Sequence, residues 1–244
     1  SRWSILFAPD LLIQTTITGQ LALLMLIHRF ERRGFEVISA NTDGIIIKIK
    51  RSRQGEYEEI IKKWEKDTGF ETEETQYKAV YSRDVNNYIA VKKDGECKAK
   101  GTYSERGSAQ NSTLSKNPES LICSDAVKAL LSNGTDVEDT IRNCRDIRRF
   151  VTVRNVRGGA HKDGWFLGKT IRWYYAKGVR GEINYVMSGN KVPNSEGAKP
   201  YMEMSIKPED FPEDINYEYY IRKAYEMLSD LAYYGNKPVQ TTMF

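Results

Sequence analysis

An α+β fold is predicted for this chain: an antiparallel sheet with covering helices, followed by a second region of mixed α/β character. Three observations predict it. Apolar residues recur at three-and-four spacing over residues 12–30, the period of one helix face. Two β-branched runs at residues 35–40 and 45–50 flank a short turn, the pattern of a hairpin. A charged helical segment and a second pair of alternating runs then repeat the helix-and-hairpin order.

The first helix is framed by Pro9 near its start and Gly34 after its end. Leu12, Thr15, Gly19, Ala22, Leu23, Leu26, Ile27 and Phe30 share a face and read as a core helix. Gln14, Thr15, Thr16, Thr18 and Gln20 interrupt the apolar run, so the helix is expected to be buried in protein and not to span a membrane. Gly19 is expected to let it approach the sheet closely.

The hairpin that follows carries Asn41-Thr42-Asp43-Gly44 at its turn. Asp-Gly between apolar runs is a strong short-range hairpin signal, because glycine tolerates positive φ. A carboxylate at the tip is left in water, ionises at little cost and suits a hard divalent cation such as Mg²⁺. Many Asp-Gly turns are plain connections, and one carboxylate does not hold a metal pair, so the motif needs its context.

A helix over residues 55–68 places Tyr57, Ile60, Ile61 and Trp64 on one side, to cover the sheet. Strands follow at 75–81 and 87–92, with residues 82–86 between them, and Asp94-Gly95 closes a second hairpin. Small polar residues from Ser104 onward mark a linker. Beyond it, residues 118–132 and 136–149 read as helices joined at Asn133-Gly134-Thr135, with Thr135 or Asp136 as the cap. The stretch to about residue 205 is β-rich, broken by Gly158-Gly159 and Gly189-Asn190. An aromatic-rich helix over 216–234 ends the pattern, and no internal repeat is visible.

At 244 residues the chain can bury a large core, and its 40% hydrophobic and 29% charged content excludes a disordered polypeptide. Cys97, Cys123 and Cys144 lack the paired spacing of a zinc site and are expected to be reduced. His28 and His161 suggest no catalytic dyad. The chain starts at Ser1 in mid-pattern without a signal peptide, which suggests a fragment or processed product. Charge is uneven: residues 141–181 hold eleven Arg or Lys against Asp146 and Asp163. Such runs are commonly solvated faces. Here Arg142, Arg145 and Arg149 fall on one helix face, and Arg154, Arg157, Lys162 and Lys169 follow beside glycine-rich turns, as a groove for phosphates requires. Trp165, Trp173, Tyr174 and Tyr175 can stack on unpaired bases, but large aromatics are more often core, and they are read as core.

The order of helix, acidic hairpin and basic sector resembles the palm and thumb of a family B DNA polymerase of bacteriophage type. In that family a helix with a Thr-x-x-Gly-Gln-like element leads into the motif C hairpin, Asp-Thr-Asp-Ser. Asn41-Thr42-Asp43-Gly44 matches with the first Asp replaced by Asn41 and the Ser by Gly44; the catalytic Asp falls on Asp43. Val85-Asn86-Asn87-Tyr88 stands where the family has Lys-Lys-x-Tyr, and only the Tyr survives. Lys98-Ala-Lys100-Gly101 is similar to a Lys-x-x-Gly segment, and Gly168-Lys-Thr-Ile-Arg172-Trp-Tyr to a phage-type thumb segment.

The resemblance implies a palm-like antiparallel sheet with covering helices over residues 1–103, a linker at 104–117 and a mixed α/β thumb-like, duplex-binding domain at 118–244. It implies nucleotidyl transfer, in which a primer 3′-hydroxyl attacks the α-phosphate of a deoxynucleoside triphosphate with two Mg²⁺ ions. Asp43 is then catalytic and metal-binding, with Asn41, Thr42 and Gly44 as its motif neighbours. Primer-template DNA is expected to meet Asn87, Tyr88, Lys92, Lys98, Lys100, Arg145, Arg149 and Arg157. Motif A and the fingers are missing, so an N-terminal polymerase chain is expected as partner, in the cytoplasm of the cell or of a phage host. A non-catalytic nucleic-acid-binding module derived from a palm and thumb is the alternative. A reverse-transcriptase palm, with adjacent acids at this tip, fits less well.

Overall fold

The computed structural model describes residues 8–104, 120–203, 211–231, 233–234 and 237–238. The chain divides into two compact units that part between Lys98 and Ala99. Apart from Ser104, the linker expected at 104–117 lies outside the described residues.

The first unit is built around the acidic hairpin. Helix α1 (Pro9–Arg32) ends at Gly34, whose φ of +69° turns the chain so that the Phe35 N–H donates back to the Phe30 carbonyl at 3.0 Å. Strands β1 (Glu36–Ala40) and β2 (Ile45–Lys48) pair antiparallel, with Ala40 opposite Ile45 and Ser39 opposite Ile46, and a bulge at Ile38. Helix α2 (Gln54–Thr68) stops at the left-handed Gly69. Leu26, Phe30, Phe35, Ile49, Ile60 and Trp64 form one core, against which Val37, Ile45, Ile47 and Tyr57 pack. The Phe30 ring meets Phe35 edge-on and stacks on Tyr57, and the Trp64 indole donates to the Ala22 carbonyl at 2.8 Å. Full burial contributes about 1.5–3 kcal/mol for each such apolar side chain.

Ile38 and Ile46 pack the other way, against Val80, Tyr88 and Ala90 of the second sheet. That sheet has the order β3 (Tyr77–Asp84), β4 (Asn87–Lys92), β5 (Cys97–Lys100). Because strand side chains alternate, the short hairpin is a middle layer with helices on one face and a sheet on the other. The expected loop at 82–86 is tighter than predicted, since β3 runs on to Asp84 and only Val85 and Asn86 turn.

Helix α1 departs from its predicted role. Its C-terminal part is buried at Leu26 and Phe30, but Leu11, Leu12, Ile13, Ile17, Leu21 and Leu24 are exposed. The reason is length: 24 residues extend about 36 Å, past a 15-residue α2 of about 22 Å. The helix is long and apolar enough to cross a membrane by length and composition. Gly19 does not bring it close to anything; a Cβ there would meet no atom within 4 Å.

In the second unit, α3 (Leu121–Asn133), α4 (Val137–Asn143), α5 (Ile147–Phe150) and α6 (Tyr217–Asp230) pack around Ile122, Val127, Ile141, Phe150 and Tyr220. The Tyr220 hydroxyl accepts from the Tyr175 N–H at 2.8 Å and donates to the Phe150 carbonyl at 3.1 Å, tying helix to sheet. Two expected helices are shorter than predicted. Residues 136–149 form two, because Asp136 caps α4 through the Glu138 N–H at 2.7 Å and Asp146 starts α5 by accepting from the Arg148 N–H at 3.0 Å. The last ends at Asp230, and Tyr233–Tyr234 (β10) pairs instead with Lys237–Pro238 (β11).

The sheet has the order β8 (Asn184–Tyr185), β6 (Thr152–Lys162), β7 (Trp165–Tyr175), β9 (Ala198–Pro200). Gly158-Gly159 does not break it. Both lie within β6 at an irregularity in the ladder, with φ of +80° and +85°, and the hairpin turns at Asp163-Gly164. Trp173, Tyr174 and Tyr175 are core, as expected, whereas Trp165 is exposed. Lys162, read from sequence as a groove cation, is buried. Its ammonium donates to the carbonyls of Arg180 (3.1 Å), Gly181 (3.1 Å) and Ala198 (2.6 Å), and burial pushes its pKa down. It fastens the segments that flank the sheet edge.

Candidate active site and nucleic-acid contacts

The β1–β2 tip is a four-residue loop closed by the Asn41 N–H, which donates to the Gly44 carbonyl at 2.9 Å. Asn41 Oδ1 accepts from the Asp43 N–H at 3.4 Å, a side chain mimicking a backbone turn. Thr42 Oγ1 lies 3.4 Å from Asp43 Oδ1. Thr42, Asp43 and Gly44 are all exposed, so the carboxylate keeps its water and is presented beyond the last paired residues, Ala40 and Ile45. Asn41 thus shapes the loop that holds Asp43 without adding a second negative charge beside it. Gly44 does not use a left-handed backbone, and a Cβ there would sit 3.7 Å from Asn41 Oδ1, an ordinary contact. The loop accepts a side chain at that position.

Oxygen donors suit a hard divalent cation, and Asp43 offers them. Among the described residues, however, no group of three or more His, Cys, Asp or Glu is placed to hold a metal. The described residues therefore fit one ligand of a two-ion centre, not the centre.

Asp84, at the end of β3 in the second sheet, is built into its own turn. Its carboxylate accepts from Asn87 Nδ2 (2.8 and 2.9 Å), the Asn86 N–H (2.9 Å) and Arg83 Nε (3.2 Å). The Asn87 amide above all, then the Asn86 N–H and Arg83, hold it below the usual carboxylate range.

The residues expected to meet DNA divide in two. Asn87 gives its amide to Asp84, and Tyr88 is buried against Val80 and Ala90, so its ring serves packing. Lys92 pairs with Glu96 at 2.7 Å. Lys98 and Lys100 alternate on the exposed side of β5.

In the second unit the three arginines do not share a helix face. Arg142, on α4, pairs with Glu138 (2.6 Å) and Glu218 (2.5 Å). Arg145 sits in the break and donates to the carbonyls of Arg142 (2.6 Å) and Cys144 (3.1 Å), while Arg149 pairs with Asp125. Much of that positive charge is matched internally. Arg157 and Lys169, on β6 and β7, are exposed.

Sequence reasoning missed an exposed cluster at the β6–β7 tip: Trp165 and Phe166, with Val186 and Met187 after β8. The available signal was the Asp163-Gly164 turn directly before Trp165.

This α+β arrangement of antiparallel sheets and helices is similar to the fold of a solved DNA polymerase. The chain is similar to the family B DNA polymerase from the hyperthermophilic archaeon Pyrobaculum calidifontis, with a TM-score of 0.54 and 17% identity. The likeness covers 97% of this chain and 32% of that one, so the chain spans about a third of the polymerase it matches. At this identity the likeness speaks to the fold alone. No protein-family profile and no curated protein matches the chain.

Proposed function

We propose that this chain is the palm and thumb portion of a DNA-directed DNA polymerase of family B type, of phage kind and acting in the host cytoplasm. One observation carries the reading: Asp43 is presented at the tip of a hairpin inside a fold that follows a family B polymerase over 97% of the chain. The chain's own contribution is to hold that carboxylate at the exposed tip of the β1–β2 hairpin. Two Mg²⁺ ions in such a site supply charge stabilisation for phosphoryl transfer. Their second carboxylate comes from a further segment, together with the fingers that bind the deoxynucleoside triphosphate. Lys98 and Lys100 on β5, and Arg157 on β6 of the second unit, are exposed cations that would each neutralise a phosphate of a primer-template without reading its sequence.

A primer-extension assay tests this. With Mg²⁺ the chain alone leaves a primer unextended, and an N-terminal polymerase chain carrying the second carboxylate restores template-directed extension. Extension by the chain alone contradicts the divided site; no extension in the mixture contradicts the polymerase reading.

The rival, a non-catalytic DNA-binding module, is favoured by the absence, among the described residues, of a group of three or more metal-ligating side chains and by Asn41 in place of an acid. It requires that Asp43→Ala change nothing in any assay.

A further inference from the structure

The tip of the β6–β7 hairpin carries a surface that the reading of Asp43 does not use. Trp165 and Phe166, just after the turn, are 78% and 61% exposed, and Met187 is 75% exposed. Successive strand residues point to opposite faces, so Trp165 and Phe166 flank the ribbon on either side. Phe166 and Met187 are seated, not merely extended into water. A Cβ on Gly159 would fall 2.4 Å from the Phe166 ring, and one on Gly158 2.6 Å from the Met187 side chain. Two consecutive left-handed glycines thus keep the backbone bare where these side chains rest on it. Arg157 and Lys169 are exposed on the same ribbon, and Asp163 lies in its turn.

We propose that this ribbon tip binds a single-stranded nucleic acid, with unpaired bases stacking on Trp165 and Phe166 and phosphates meeting Arg157 and Lys169. Exposed aromatic faces with exposed cations about 13 Å further along the same two strands are what a strand of free bases and phosphates complements, and a duplex has no free base faces to offer. A lipid surface would be met by one apolar face; here the aromatics lie on opposite faces of a thin ribbon. The proposal uses neither Asp43 nor its hairpin, so it stands or falls independently of the catalytic reading.

Anisotropy of a short labelled oligo(dT) and of a duplex of equal length, titrated with the full chain at low salt, tests the proposal. Trp165→Ala and Phe166→Ala should each weaken single-strand binding roughly 5- to 150-fold, the range for loss of one stacked base, and leave duplex binding unchanged. Trp165→Phe keeps a ring and should retain most of the affinity, which separates stacking from misfolding. Replacing Arg157 and Lys169 together with Ala should flatten the salt dependence. Three results overturn the proposal: no binding of oligo(dT), aromatic variants within about twofold of the parent, or binding to phosphatidylserine vesicles that the aromatic substitutions abolish while oligo(dT) binding survives.

Discussion

Three hairpins in this chain turn on the same dipeptide, Asp-Gly, and the ones at Asp43-Gly44 and Asp163-Gly164 use it in opposite ways. At Asp163-Gly164 both residues have positive φ, +50° and +82°, the two-residue turn that matches the right-handed twist of paired strands. At Asp43-Gly44 neither does, and the loop is closed one residue further out by Asn41 and Gly44. In the first case the backbone requires the glycine and favours the aspartate, one of the few other residues that enter the left-handed region. In the second the glycine is replaceable and the aspartate is presented. A dipeptide therefore identifies a hairpin but not which of its residues matters; that depends on whether the strands or the neighbouring side chains close the loop.

Substitutions in the glycines sharpen this contrast. The largest stability effect is expected at Gly159→Val, where a β-branched residue must adopt φ +85° and displace Phe166. A loss of about 2–4 kcal/mol should follow, read as a lower urea midpoint. Unchanged stability would mean that the β6 irregularity relaxes freely. A paired test is smaller. Gly164→Ala should cost about 1 kcal/mol from backbone strain alone, because no atom lies within 4 Å of the new Cβ, whereas Gly44→Ser should stay within about 0.5 kcal/mol. Equal losses at the two glycines would show that the two turns are alike after all.

The sequence made the first unit legible because each signal was local. The periods of α1 and α2, the β-branched runs on either side of residues 41–44 and the Asp94-Gly95 turn sit where expected. What failed depended on partners. Leu12 lies on a regular apolar face, yet nothing in its sequence says that α1 outruns the elements beneath it. Arg142, Arg145 and Arg149 keep helical spacing, but Asp146 offers its carboxylate as a new cap and breaks the helix. Trp165 and Trp173 are the same residue type on one strand, and only the distance from the turn leaves the first in water and the second in the core. Lys162 was read as a surface cation because three carbonyl acceptors converging from distant segments have no sequence signature. Asp43 was found by pattern, and its place at the tip agrees with that pattern. The second carboxylate that the proposed two-ion site requires was not legible.

The role of that one side chain is best measured by comparing parent and Asp43→Ala in a single experiment, in the proposed assembly with an N-terminal polymerase chain. Single-turnover extension and primer-template affinity are recorded on the same preparations. Because Asp43 is exposed, the substitution should leave folding and DNA affinity intact while slowing extension by roughly a thousandfold, as expected when several kcal/mol of charge stabilisation are removed. Extension at the parent rate, or a loss of DNA affinity as large as the loss of rate, would contradict a catalytic Asp43.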